Sequence, residues 1–166
     1  MKKTIVIIVI TLVILLIITL GILGAIKLMK ILKDKDGGRE KIDSNIIEFS
    51  YEHGSYFGGE NEYHLYYTEE GIAHIEAIGY NGSELNIDKD IDESVFAEIE
   101  RIVNEQEIYK WDGFDESDND VLDGYSFSLK ITYKDGQSIN AHGYMKYPDT
   151  YRVASDALTD YLNTLG

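Results

Sequence analysis

The chain contains no cysteine and a single proline in 166 residues. Without thiols there is no disulfide framework, thiol nucleophile, zinc–thiolate site or lipid-carrying cysteine of a lipoprotein. Basic residues are also scarce, because 15 Lys and Arg stand against 30 Asp and Glu, giving a net charge of −15. A surface this acidic repels phosphates, so nucleic acid is not an expected partner.

The charge is unevenly distributed along the chain. Residues 1–41 carry eight basic and three acidic side chains, whereas residues 42–166 carry seven basic and twenty-seven acidic ones. An acidic domain of this kind is compatible with a basic surface or a cation as partner, although a charge excess is more commonly just a solvated face.

A long uncharged run lies near the N-terminus. Thr4–Ile26 has 23 residues, of which 17 are Ile, Val or Leu. As a helix it would extend about 34 Å, enough to cross a hydrocarbon core of about 30 Å. A cleaved signal peptide is the alternative, but the run is longer than the hydrophobic region of such a peptide. The run therefore predicts an uncleaved transmembrane signal anchor, in which Gly21 and Ala25 form one small-xxx-small pair for a second helix.

We divide the chain into a basic N-terminus (1–3), the transmembrane helix (4–26), a basic juxtamembrane segment and linker (27–44), and an acidic domain (45–166). The lysines of 27–41, counted literally, place that domain in the cytoplasm. A short Met-Lys-Lys start before a hydrophobic run is typical of an export signal instead. We expect a single-pass protein of the cell membrane whose domain faces outward.

Periodicity predicts an α+β domain. The predicted strands are Ile46–Tyr51, Glu62–Thr68, Ile72–Ile78 and Ser83–Ile87, followed by a helix from Asp92 to about Glu105. Strict alternation in Tyr125–Lys134, an Asp-Gly turn and Ser138–Tyr144 predict a β-hairpin, and a last helix opens at Pro148. The expected fold class is α+β: a transmembrane helix, then an antiparallel sheet (strands, helix, hairpin, helix) with two helices on one face. A half-barrel around the helix is the alternative.

No catalytic, cofactor or metal motif is found. Asp88, Asp90 and Asp92 resemble the start of a calcium loop but lack its later Gly and Glu. The acidic cluster of Asp115, Asp118, Asp120 and Asp123 also lacks EF-hand spacing, and an irregular cation site there stays open. Metal-binding spacing is absent among the four histidines, which are His53, His64, His74 and His142. We expect no cofactor and no resident metal.

One segment of the acidic loop 107–123 is a candidate interaction surface. It combines Trp and Phe with carboxylates, and the residues are Trp111, Asp112, Phe114, Asp115, Asp118 and Asp120. The alternative interpretation is that Trp111 and Phe114 tuck under the sheet and pin the loop, because a lone Trp is highly buried on average.

The second half of the chain carries the strings YKWDGF (109–114), VLDG (121–124), SFSL (126–129), YKDG (133–136) and GYMKYP (143–148). In these it resembles small uncharacterised membrane-anchored or lipoprotein-like proteins of Gram-positive (Clostridia-type) bacteria. The resemblance covers roughly residues 105–155. It implies a bacterial source and an exported domain, and it supplies no catalytic residues.

The expected function is a binding or interaction module at the bacterial cell envelope, anchored in the membrane, with a protein or an envelope polymer as partner. One alternative is an envelope hydrolase that uses carboxylates of the 115–123 loop, which predicts a pocket holding two carboxylates with separated pKa values. Another is an accessory subunit of a membrane complex, paired through Gly21 and Ala25.

Overall fold

The computed structural model describes residues 39–118 and 120–166, which lie in one compact unit, Arg39–Gly166. The strands are β1 (Ile46–Ser55), β2 (Gly59–Tyr67), β3 (Ala73–Tyr80), β4 (Asn86–Asp90), β5 (Asp115–Ser117), β6 (Ser126–Tyr133) and β7 (Ser138–Tyr144). The helices are α1 (Ser94–Glu105) and α2 (Tyr151–Asn163), with a short 3-10 helix at Ile108–Trp111.

The strands form one seven-stranded sheet in the order β4-β3-β2-β1-β6-β7-β5. All neighbours are antiparallel except β5, which runs parallel to β7 with Asp115 opposite His142. Main-chain hydrogen bonds from His142 to the carbonyl of Phe114 and from Asp118 to the carbonyl of Tyr144, both 2.8 Å, hold this short strand in place. β4 and β5 are therefore the two edges of an open, mixed sheet.

The predicted fold class was wrong about the sheet, although the domain is α+β in kind. The sheet is mixed rather than antiparallel, because Asp115–Ser117, expected to be loop, adds a parallel edge strand. In addition, no helix within 39–118 and 120–166 is long and apolar enough to cross a membrane. The transmembrane helix predicted at 4–26, with Gly21 and Ala25, lies outside the described residues.

One face of the sheet is covered by both helices, and we call it the covered face. Its apolar side chains alternate along the strands, as Phe49 and Tyr51 do in β1 and Tyr63 and Leu65 in β2, and all four are fully buried. Ile99 of α1 and Leu158 and Leu162 of α2 belong to the same core. Burial of this apolar surface, at about 25 cal/mol per Å², is the main stabilising contribution to the fold.

The first strand is longer than the sequence predicted. β1 and β2 pair continuously from Glu48 opposite Tyr66 to Ser55 opposite Gly59, so most of the Gly-rich segment 53–61 is strand. Gly54 has φ +139°, and a Cβ there would lie 2.2 Å from the carbonyl oxygen of Gly59. Glycine is therefore required where the hairpin closes.

Candidate functional site

The structure places Trp111 in the core, with 2% of its surface exposed. Its Nε1–H donates to the hydroxyl of Thr150 at 2.9 Å, and its ring meets Phe127 edge-on at 5.7 Å. Phe114 is half-buried and stacks on the same Phe127 at 6.1 Å. These two aromatic rings pin the segment between α1 and β6 to the covered face of the sheet.

The carboxylates of the predicted interaction surface have separate roles. Asp112 accepts a hydrogen bond from the N–H of Asn140 at 3.0 Å and forms an ion pair with Arg39. Asp115 lies on the edge strand β5, 3.3 Å from the Nδ1 of His142, and is 82% exposed. Asp118 accepts the N–H of Asp120 at 3.2 Å. That a partner contacts Asp115, Asp118 and Asp120 stays a prediction.

The opposite side of the sheet carries no helix of the described residues 39–118 and 120–166, and we call it the open face. The register sets its side chains in rows across the strands: Glu76 opposite His64, Glu62 opposite Glu52, and Ser128 opposite His142. The alternation along each strand and the pairing between strands put eight carboxylates on this face. They are Glu48, Glu52, Glu60, Glu62, Glu76, Asp88, Asp90 and Asp115.

Only one lysine of the described strands lies on the open face, and it is already paired with a carboxylate of that face. Lys130 lies 3.1 Å from Glu48, whose carboxylate also accepts the hydroxyl of Thr132 at 2.8 Å and lies 3.3 Å from His64. The Thr132 hydrogen bond, with the smaller effects of Lys130 and His64, lowers the pKa of Glu48 against the opposing effect of burial. The remaining carboxylates of the open face have no lysine or arginine partner among the described residues.

Three of these carboxylates lie side by side with like charge. Glu52 and Glu62 are directly opposite across β1 and β2, and Glu60 is the next open-face residue along β2. Burial, a hydrogen bond to Glu60 and the charges of Glu60 and Glu62 raise the pKa of Glu52. Like charges directly opposite in a sheet destabilise it, so this arrangement is not explained by the needs of the fold.

Histidine balances part of the charge near the β4 edge. His74 lies between two carboxylates, with Nδ1 2.8 Å from Asp90 and Nε2 3.0 Å from Asp88. Both ring nitrogens donate only when the imidazole is protonated. The hydrogen bond to Asp90 is the main reason that the pKa of His74 is raised, with Asp88 adding to it and desolvation opposing it.

A cleft of about 330 Å³ opens on the same face, across β2, β3 and β4. Three carboxylates line it together with a histidine, an amide, a tyrosine and three aliphatic residues: Glu62, Glu76, Asp88, His64, Asn86, Tyr80, Ala77, Ile78 and Ile87. Tyr80 and Ile78 are each 43% exposed and contribute apolar surface beside the polar groups. Within 39–118 and 120–166, no three His, Asp or Glu side chains meet in an arrangement that could hold a metal ion.

Comparisons of the chain with models of known protein families and with curated proteins give no match. The open face and its cleft are thus the features on which a functional assignment depends. Sequence reasoning read Glu62–Thr68 as a strand of alternating residues and considered His64 only as a possible metal ligand, not as part of a surface. The signal was present in the same alternation, because Glu62, His64 and Tyr66 occupy the intervening positions.

Proposed function

We propose that the chain is a membrane-anchored interaction module of the bacterial cell envelope, and that the open face of its domain binds a basic segment of a protein partner. The observation that carries the proposal is the open face itself. Its described strands present eight carboxylates and one lysine, Lys130, which is already paired with Glu48.

The electrostatics of the open face favour a cationic partner. A concentrated field of one sign accelerates the association of oppositely charged partners and selects among them. The cluster of Glu52, Glu60 and Glu62 adds a thermodynamic reason. Burial is the main cause that raises the pKa of Glu52, and a bound cationic group would relieve the repulsion from Glu60 and Glu62 that adds to it. A basic segment several residues long can meet carboxylates on successive strands, which lie about 4.8 Å apart.

Anchoring and outward orientation are part of the same proposal and are supported by the uncharged run Thr4–Ile26 and the lysines that precede it. Protease treatment of intact cells, with lysed cells as control, checks the orientation. We expect the domain to be cleaved on intact cells. Protection until lysis would place the domain in the cytoplasm and contradict the envelope assignment.

Binding is tested with the full chain in a non-ionic detergent and a fluorescent peptide of alternating glycine and arginine. The double substitution Glu52→Gln/Glu60→Gln should weaken binding by roughly tenfold, because two carboxylates of the open face lose their charge. Fluorescence anisotropy gives the affinity, and added salt should weaken binding further by screening the charges.

A matched control removes the same charge elsewhere. Glu69 and Glu70 lie in the exposed turn between β2 and β3, and Glu69→Gln/Glu70→Gln should leave the affinity nearly unchanged. Misfolding would not explain weaker binding by Glu52→Gln/Glu60→Gln. Removing like charges should leave the unfolding free energy of this variant unchanged or raise it by a few tenths of a kcal/mol. The proposal would be contradicted if the unchanged chain and both double variants bound the peptide with equal affinity, or if added salt did not weaken binding.

A further inference from the structure

The cleft on the open face brings carboxylate, aliphatic and aromatic side chains close together. Its carboxylates come from three neighbouring strands, Glu62 from β2, Glu76 from β3 and Asp88 from β4. Ile78 lies in the register directly opposite Glu62, and Asn86 lies opposite Ile78. An apolar side chain is thus placed between polar groups, next to the exposed ring of Tyr80.

This combination matches a side chain that is aliphatic along its length and cationic at its end. The methylene stem of such a side chain covers apolar surface while its charged end stays among polar groups. The face of a tyrosine ring attracts a cation within about 6 Å of its centre. Ile78 fits the stem, and Tyr80 with the three carboxylates fits the charged end.

The carboxylates of the cleft retain hydrogen-bonding capacity. Glu76 accepts the hydroxyl of Tyr66 at 2.7 Å, and Asp88 lies 3.0 Å from His74. Glu62 has a longer contact, 3.5 Å, with the hydroxyl of Tyr80. Because an ionised carboxylate has about four acceptor sites, each of these groups can still accept hydrogen bonds from a ligand.

Arginine fits this set of groups better than lysine. Its planar guanidinium offers five donors, which can bond two carboxylates at once and also stack on an aromatic ring. The ammonium group of lysine is a compact point charge with three donors and stays more strongly hydrated. Carboxylates on adjacent strands beside Tyr80 therefore favour the guanidinium.

We propose that the cleft formed by Glu62, Glu76, Asp88, Ile78 and Tyr80 binds an arginine side chain of the basic partner. This inference rests on the proposed function, in which the open face binds a basic segment. It adds a specific anchoring position within that face and a preference for arginine.

The test uses three fluorescent peptides in which glycine alternates with arginine, lysine or citrulline, the last being the neutral analogue of arginine. The full chain in non-ionic detergent should bind the arginine peptide most tightly and the citrulline peptide least. Tyr80→Ala and, separately, Glu76→Gln should each weaken binding of the arginine peptide by roughly tenfold, the scale of one charge-assisted contact. Tyr80→Ala should also reduce the preference for arginine over lysine.

Tyr56→Ala is the matched control, because Tyr56 is 70% exposed in the β1–β2 turn and does not line the cleft. It should leave the affinity unchanged. If Glu52→Gln/Glu60→Gln weakens binding while Tyr80→Ala and Glu76→Gln do not, the cleft assignment is overturned and the proposed function stands. If the arginine peptide binds no more tightly than the citrulline peptide, both are overturned.

Discussion

The two faces of the sheet use the same strands for opposite purposes. On the covered face, buried tyrosines have hydrogen-bond partners on α2: the hydroxyl of Tyr51 lies 2.7 Å from that of Ser155, and that of Tyr63 donates to Asn163 at 2.9 Å. On the open face, Glu52 and Glu62 stand opposite each other with like charge. The covered face satisfies its polar groups within the domain, whereas the open face leaves carboxylates available to a partner.

The histidines show the same contrast in their protonation. His53 lies on the covered face, with its ring centre 5.0 Å from that of Tyr51, and burial lowers its pKa. His74 lies on the open face between Asp90 and Asp88, and the pKa of His74 is raised. Burial therefore favours the neutral form of His53, whereas the hydrogen bonds to Asp90 and Asp88 favour the cationic form of His74.

The largest expected effect distinguishes adjacent residues of β2. Leu65 is fully buried on the covered face, so Leu65→Ala should lower the unfolding free energy by about 2–5 kcal/mol through lost burial and a residual cavity. His64→Ala, one position earlier on the open face, should change it by about 0.5 kcal/mol or less. Urea unfolding of both variants measures the difference. Similar decreases in unfolding free energy for the two variants would contradict the division of the sheet into a covered face and an open face.

A smaller expected effect is the loss of stability at low pH that His53 causes. Since burial lowers the pKa of His53 below its ordinary value of 6.5, the unfolded chain binds this proton more readily. The contribution of His53 to stability is therefore lost as the pH falls below about 6.5. His53→Gln should reduce the acid sensitivity of the unfolding free energy. An unchanged pH profile would mean that the His53 imidazole is not buried in its neutral form.

His74 should have the opposite pH dependence and the smallest effect. Its pKa is raised, so its stabilising contribution is fully present below about 6.5 and is lost as the pH rises through the raised value. His74→Gln should therefore be most destabilising in acid, by less than about 1 kcal/mol because the two partner carboxylates are largely exposed. Urea unfolding at several pH values measures how the change in unfolding free energy caused by each substitution varies with pH. Variation of the same sign for His53→Gln and His74→Gln would refute the contrast between the faces.

Local patterns predicted much of this fold. The alternation from Tyr125 to Lys134 and the Asp-Gly turn correctly predicted the β6–β7 hairpin, and the apolar spacing after Asp92 correctly predicted α1. Each of these signals lies within one segment of the chain. The α+β kind of the domain follows from them.

Features that depend on distant residues were missed or left open. β5 has the sequence Asp-Glu-Ser, with no strand pattern of its own, and forms because β7 offers a free edge. The burial of Trp111, which the sequence analysis gave as the alternative to an interaction surface, depends on Thr150, 39 residues later, and on Phe127. The carboxylate cluster of the open face likewise depends on the register that pairs Glu52 with Glu62.

The central claim is that a basic partner binds the open face, and its most direct test is a map of the contact. Isotope-labelled full chain in non-ionic detergent is titrated with the glycine–arginine peptide, and backbone amide shifts are followed by NMR. We predict shifts in β1 to β4 around Glu52, Glu62 and Glu76, with both helices unchanged. Shifts confined to the helices would contradict the account.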